Sequence, residues 1–239
     1  MLHNRFLTYL LIAIFAISAV FTACKPDDDE NGNEKVQLVK TITTYDTYGS
    51  LDFEYDKKNR ITAVYLRRGE MPTFPYFQFF YTGNDLVKCI AYSDGSYYIC
   101  EFSKKGNEIT VFNSFMPECI IKLNDDGYPL NFYDITFQYL NSNMVSAKDD
   151  NSNYSWYKYD NNKSPFWHCE TPKWVSIFIS ATFFSFQPEF FVSFKNNITE
   201  HYSNINSSEH TCELSYEYDD NGFPTQMYID DELWVSFTY

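Results

Sequence analysis

The stretch SYEYDDNGFPTQMYI, residues 215–229, contains both strands and the turn of a β-hairpin. Its first part alternates the aromatic Tyr216 and Tyr218 with polar neighbours, as a strand with one buried face does. The DDNG residues (219–222) predict a turn of about four residues, because Asp and Asn side chains bond their own backbone and Gly accepts positive φ. The alternating residues that follow predict the second strand. This stretch therefore predicts two antiparallel strands joined by a polar turn.

The same pattern recurs along most of the chain. Clear copies begin at Phe53, Phe79, Cys100 and Ile121, and looser copies begin at Phe137 and Tyr157. The last strand residues before the turns are Tyr55, Tyr81, Phe102, Leu123, Tyr139, Tyr159 and Tyr218. A period of about 20 residues matches two strands and a turn. The composition, with 20% aromatic residues and few glycines, also favours strands. The sequence therefore predicts an all-β antiparallel meander of repeated hairpins.

Between the copies at Tyr159 and Tyr218, the pattern is lost. This part contains the apolar runs WVSIFISATFFSF (174–186) and FFVSFKNNITEHY (190–202), in which KNN (195–197) predicts a turn. Residues 177–186 are compatible with a buried helix as well as with a strand, because periodicity does not distinguish the two in a short apolar run. The many β-branched and aromatic residues favour strands, so we expect two or three more strands with degenerate turns, with a buried helix as the alternative.

The N-terminus has the organisation of a secretory signal. A short basic start precedes an apolar run (6–21) and the small residues Thr22 and Ala23. The apolar run is short for a membrane-spanning helix, and no basic stop-transfer cluster follows it. The end of the run resembles the lipobox of bacterial lipoproteins, which implies cleavage before Cys24 and lipidation of its thiol. The predicted organisation is a signal peptide (1–23), a lipid-anchored acidic tether (24–35) and a single all-β repeat domain (36–239).

Two copies of the hairpin, YDKKNRI (55–61) and YDDNGFP (218–224), resemble YD repeats, the Tyr-Asp hairpins of Rhs-type shell proteins. Together with the lipobox, YDNNKSPF (159–166) resembles more narrowly the bacteroidete-type lipoproteins that carry a YD-repeat-like domain of unknown function described as porin-like. The resemblance covers about residues 36–239. It implies a meander that curls into a barrel-like or strongly bent sheet, and it implies no activity.

The acidic run after Cys24 and Lys25 resembles the surface-export signal of the same lipoproteins, with Pro26 interrupting the usual pattern. The resemblance implies an outer-membrane lipoprotein on the cell surface; attachment at the periplasmic face is the alternative.

The alternating C-terminus LWVSFTY (233–239) is of the kind that often ends an outer-membrane barrel. However, a repeat of about 20 residues leaves about seven or eight per strand, and spanning a membrane takes about 9–11. Lys, Asp and Asn also recur too often for a lipid-facing band. We therefore expect a water-soluble sheet that contacts the membrane through the lipid on Cys24.

The formal net charge of −14 disfavours nucleic acid as a partner, because binding phosphates requires a basic face.

Five cysteines remain after Cys24, and one pair can be placed. A two-residue turn at Asp94 and Gly95 sets Cys89 opposite Cys100, at a distance that suits either a disulfide or two packed thiols. The sequence does not decide between a disulfide and two free thiols here, and it does not determine how the five cysteines pair.

The sequence predicts no catalytic, metal or cofactor site. His168 and Glu170 lie on one face of a predicted strand, but no third ligand converges on them. The acidic turns at residues 125–127 and 219–222 lack the rest of a calcium loop. No acid is singled out as one of a glycosidase pair. We therefore expect a non-catalytic binding or scaffolding module, with a glycan as the natural ligand. The alternatives are a structural or assembly lipoprotein of an outer-membrane complex and, less favoured, a carboxylate-dependent envelope hydrolase.

Overall fold

The computed structural model describes residues 35–45, 49–69, 73–93, 95–113, 115, 117–183 and 194–239. The compact unit that carries the sheet is Gln37–Tyr239. The predicted signal peptide, Cys24 and nearly all of the predicted tether lie outside the described residues. Asp94 and residues 184–193 lie outside them as well, so the predictions made for these positions stay predictions.

Within the described ranges the chain forms sixteen strands and one helix. The strands are β1 (Thr41–Thr44), β2 (Ser50–Tyr55), β3 (Ile61–Arg67), β4 (Phe74–Thr82), β5 (Asp85–Ser93), β6 (Ser96–Lys105), β7 (Glu108–Asn113), β8 (Cys119–Lys122), β9 (Asn131–Phe132), β10 (Ile135–Leu140), β11 (Asn143–Lys148), β12 (Tyr154–Tyr159), β13 (Ile198–Ile205), β14 (Ser208–Tyr218), β15 (Pro224–Ile229) and β16 (Glu232–Thr238). The helix, α1, spans Lys173–Phe183 between β12 and β13.

The strands form one antiparallel sheet in which chain neighbours are also sheet neighbours. The first and last strands close the order, because β1 pairs with β16 and sets Ile42 opposite Phe237. The remaining seam lies between β8 and β9. An isolated bridge joins Leu123 to Pro129 there, and the Leu130 N–H donates to the Lys122 carbonyl at 2.6 Å. The sheet is therefore a nearly closed barrel, and the predicted all-β meander is confirmed.

The repeated turns share one set of contacts. The Oδ1 atoms of Asp56, Asn124, Asp160 and Asp219 each accept the N–H two residues further on, at 2.8–3.1 Å. A shift of strand register directly precedes the repeat tyrosine in five strands, at Tyr55, Tyr81, Tyr139, Tyr159 and Tyr218. Such a bulge increases the local twist and bend of the strand, which helps the meander to curl.

The repeat tyrosines also tie neighbouring strands together. The Tyr55 hydroxyl donates to the Val39 carbonyl, and that of Tyr81 donates to the Ile61 carbonyl, both at 2.8 Å. Since every strand is antiparallel to the next, the turns after β2, β4, β6, β8, β10, β12 and β14 all lie at one end of the sheet, which we call the turn end.

Helix α1 lies in the packed interior. Residues 174–180 are all buried. Phe178 makes edge-to-face contacts with Phe102 of β6 and Phe132 of β9, with ring centroids 5.2 and 5.9 Å apart. Side chains from separate parts of the sheet and from the helix therefore form one core.

The strand expected over residues 174–183 is wrong. The helical alternative, given for residues 177–186, is correct for 177–183, and the helix begins earlier, at Lys173. Most positions of this helix are apolar, and Ser176 and Ser180 are buried as well, as is typical of a helix in an enclosed position. The strand propensities of Val175, Ile177 and Ile179 are weak priors that the enclosed position overrides. Residues 184–186 of the same run are not described.

The outward face of the sheet carries charge on widely separated strands. Glu101, Glu108, Lys122, Lys158 and Glu213 are all exposed there. Side chains of this kind are suited to water. Among the described helical residues, none forms an apolar stretch long enough to cross a bilayer.

Candidate functional site

The segment between β12 and α1 covers the turn end of the sheet. We call residues 160–172 the cap segment. Its backbone is tied to the β2–β3 hairpin, where the Glu170 N–H donates to the Asn59 carbonyl at 3.0 Å and the Ile61 N–H donates to Thr171 Oγ1 at 2.8 Å. On another side, the Lys163 N–H donates to the Gly222 carbonyl at 3.2 Å. The cap segment is thus held from two separate hairpins.

The residues that return from α1 to β13 strengthen this attachment. We call residues 194–197 the return segment. The buried Ser164 hydroxyl donates to the Phe194 carbonyl at 2.5 Å, and the Ser164 N–H donates to the Lys195 carbonyl at 3.3 Å. Two hydrogen bonds join Asn143 to Asn196: the Asn143 side-chain amide donates to Asn196 Oδ1 at 2.9 Å, and the backbone N–H of Asn196 donates to Asn143 Oδ1 at 3.0 Å.

Asp160 joins the cap and return segments. It accepts the Asn197 N–H at 3.1 Å and the Tyr218 hydroxyl. Burial and the nearby Asp160 carboxylate both raise the pKa of Tyr218, so this hydroxyl stays protonated as a donor. The whole turn end is therefore a hydrogen-bonded platform.

This platform encloses a depression, which we call the cap depression. One part, of about 290 Å³, is lined by Tyr128, Ser142, Phe166, Trp167, Cys169, Lys173, Phe194 and Lys195. Trp167 is 36% exposed, whereas Phe166 and Phe194 are buried. Lys173, the first residue of α1, holds its Nζ atom 4.5 Å from the centre of the Tyr128 ring. We call this part the basic half.

An adjoining part of about 250 Å³ shares Cys169 and Lys173 with the basic half. Its other charged lining residues are Asp85, Lys104, Asp126 and Glu170. Lys104 is paired with Asp85, with Nζ and Oδ1 3.1 Å apart. We call this part the acidic half, and Lys173 stands between the two halves.

A larger groove of about 510 Å³ lies at the opposite end of the sheet. Phe74, Tyr92 and Tyr97 line it, together with Pro75 and small residues of the β5–β6 turn. Tyr97 is 65% exposed.

The residues considered as metal ligands in the sequence have structural roles. His168 Nδ1 accepts the Gln37 N–H at 3.0 Å, and the Gln37 side chain in turn donates to Asp219 at 2.8 Å. The Asp219 turn residue accepts the Phe223 N–H at 2.9 Å, so turn formation accounts for its carboxylate. No group of three His, Cys, Asp or Glu side chains suited to a metal occurs in the described part of the chain.

The β5–β6 register sets Cys89 opposite Cys100, and both are buried free thiols. Cys119 lies close enough to Cys100 to influence its titration. Burial, and secondarily the neighbouring Cys119, raises the pKa of Cys100 to about 12. These thiols therefore belong to the apolar interior, away from the cap depression.

The sequence assigns neither Lys173 nor Lys195 to a binding site, since Lys195 is marked only as part of a predicted turn. The two lysines are far apart in the chain, and no local pattern indicates that they line one depression. No sequence pattern singles out Trp167 either.

No family model matches the chain, and no curated protein matches it. Two similar solved structures are described as porin-like proteins. One, from Bacteroides vulgatus ATCC 8482, is 14% identical, covers 85% of this chain and 99% of its own, and has a TM-score of 0.43. The other, from Bacteroides uniformis ATCC 8492, is 15% identical, covers 84% of this chain and 97% of its own, and has a TM-score of 0.35. Nothing about function is transferred from either protein.

Proposed function

We propose that the chain is a lipid-anchored protein of the cell envelope whose sheet domain binds a glycan in the cap depression without catalysis. The lipobox-like residues before Cys24 support the anchor. The acidic run after Cys24 supports display on the cell surface rather than at the periplasmic face. The lipid on Cys24 is the proposed contact with the membrane.

The cap depression is the observation that carries the binding role. An aromatic ring at a polar-rimmed concave site is suited to the apolar C–H face of a sugar, while hydroxyl groups bond to the rim. Trp167 offers such a ring, and the cap and return segments hold the surrounding backbone from several strands. A site fixed before binding avoids the entropic cost of ordering it afterwards.

The carboxyl groups with clearly lowered pKa values lie in turns and not in the cap depression. The lowered pKa values of Asp56, Asp149 and Asp219 have their cause in turn hydrogen bonds. A general acid for glycoside hydrolysis requires a raised carboxyl pKa instead.

The test is titration of the full chain, purified in detergent, against a panel of neutral and acidic oligosaccharides. Trp167→Ala is expected to weaken binding about tenfold or more, as loss of a stacked ring does. Tyr97→Ala, at the opposite end, is the matched control and is expected to leave affinity unchanged. Flat isotherms across the panel would refute the proposal, and loss of binding in Tyr97→Ala alone would move the site to the opposite groove.

The anchor and its side of the membrane are tested separately. Labelled fatty acid is expected to enter the wild-type chain and not Cys24→Ala. Protease added to intact cells is expected to remove the domain, whereas protection until lysis would place it in the periplasm.

An assembly role is the second candidate. Phe112, Ile120 and Leu130 are 43%, 45% and 44% exposed and lie on β7, on β8 and just before β9, around the seam of the sheet. Exposed apolar side chains in one region are typical of a protein interface. If this role is correct, the chain sediments in detergent extracts as a larger complex that Ile120→Lys disrupts.

A further inference from the structure

We infer that the cap depression selects an acidic sugar, with the acid group between Lys173 and Lys195 and the sugar ring against Trp167. A terminal uronic acid has this chemistry. The inference rests on the proposed function and adds the chemical class of the ligand.

The charges around the basic half support this selection. The chain contains 32 acidic and 18 basic residues, yet the described residues that line the basic half include two lysines and no acid. Among the described residues, the ion pairs of the domain use Arg60, Arg67, Lys104 and Lys158, and so neither Lys173 nor Lys195 is engaged with a carboxylate there. No described carboxylate therefore neutralises either ammonium group, and the contact of Lys173 with the Tyr128 ring leaves its positive charge in place for an anion that enters this half.

The two lysines extend from well-fixed backbone. The Lys195 carbonyl accepts the Ser164 N–H, and the backbone N–H and side chain of the next residue, Asn196, both bond to the Asn143 side chain. Lys173 begins α1, whose following residues are buried. Although each lysine side chain is flexible, the backbone fixes both attachment points at the same depression.

The acidic half determines the orientation of the bound ligand. Asp126 and Glu170 line it, and the Asp85 carboxylate is already paired with Lys104. A carboxylate placed in this half meets like charges, whereas the charged groups among the described residues of the basic half are both lysines. The acid group is thus directed to the basic half, and neutral hydroxyl groups are directed to the acidic half.

The size of the basic half limits the ligand further. Its volume of about 290 Å³ is at the lower limit of small-molecule sites, which span about 300–1,000 Å³. One sugar ring is accommodated in such a space, and a chain of rings must continue outside it. The inferred ligand is therefore the acidic end of a glycan.

The experiment compares two disaccharides that differ only at the terminal ring, glucuronic acid in one and glucose in the other, by calorimetric titration of the full chain in detergent. In low salt the acidic probe is expected to bind about tenfold more tightly, and 0.5 M salt is expected to remove most of this difference. Lys173→Gln and Lys195→Gln are each expected to weaken binding of the acidic probe about fivefold, with the neutral probe unaffected. Lys148→Gln, an exposed lysine of β11, is the matched control and is expected to have no effect.

The outcomes separate the inference from the function on which it rests. Equal affinity for the two probes, with binding still lost in Trp167→Ala, overturns the acidic selection and leaves glycan binding intact. Binding of neither probe overturns both. Urea unfolding of each lysine variant identifies any loss that results from misfolding, and the salt dependence of the wild-type chain tests the inference without any variant.

Discussion

Replacing Phe178 with alanine tests whether α1 is part of the packed interior. The side chain is 1% exposed. Its ring meets Phe102 of β6 at 5.2 Å and Phe132 of β9 at 5.9 Å, so it connects the helix with two separate strands. Phe178→Ala removes both contacts at once.

The expected cost follows from the buried area. An aromatic side chain buries about 150–250 Å², which at about 25 cal/mol per Å² corresponds to about 4–6 kcal/mol. Alanine retains a small part of that burial, and Phe→Ala changes in cores cost about 3–5 kcal/mol. We expect a loss of about 4 kcal/mol in the free energy of unfolding, a large share of the roughly 5–15 kcal/mol of a typical domain.

Urea unfolding followed by circular dichroism measures this loss. With a urea dependence of about 2–3 kcal/mol per M, the midpoint is expected to fall by about 1.3–2 M. Phe112→Ala is the matched control, because Phe112 is 43% exposed on β7, and it is expected to cost about 1 kcal/mol or less. If the two variants unfold at the same urea concentration, α1 does not lie in the core and the reasoning is refuted.

Two further predictions concern titration. Partial burial raises the pKa of Asp219, but the hydrogen bonds from Gln37, Phe223 and Asn221 outweigh it and hold this pKa below its usual value. Because the pKa of Asp219 is depressed in the folded protein, this stabilisation is present above about pH 4 and is lost as the pH falls further. The melting temperature is therefore expected to fall as the pH is lowered below about 4, and to fall less steeply in Asp219→Asn. Burial raises the pKa of Cys89 and Cys100, so iodoacetamide at about pH 8 is expected to leave both unmodified until the protein is denatured, and labelling of either in the folded protein would contradict their burial.

Hairpin chemistry is local, which is why so much of the sheet can be predicted from the sequence. Residues 215–229 contain both strands and the turn, and the Asp219 carboxylate bonds N–H groups two and four residues away. The length of the turn around Gly95 similarly sets Cys89 opposite Cys100.

Features that depend on distant residues could not be predicted in this way. The pairing of Ile42 with Phe237 joins the two ends of the domain, and no local pattern encodes it. The helical state of residues 173–183 depends on Phe102, Phe132 and other side chains that surround it. The basic half of the cap depression brings Lys173 and Lys195 together only after α1 has entered the interior and the chain has returned.

The chain enters the sheet domain at the end that carries the proposed binding site, so we expect the length of the predicted tether to affect capture of a glycan. The chain enters the domain at Gln37, which bonds to His168 of the cap segment and to Asp219 of a turn. If Cys24 carries the lipid, the 13 residues 24–36 reach at most about 47 Å when fully extended. Deleting residues 26–33 shortens this reach to about 18 Å, so the membrane is expected to hinder a polymeric glycan while a disaccharide still enters. Cells that carry the shortened tether are expected to lose capture of the polysaccharide, while the purified variant keeps its affinity for the disaccharide. Equal capture by both tether lengths would refute this role of the tether.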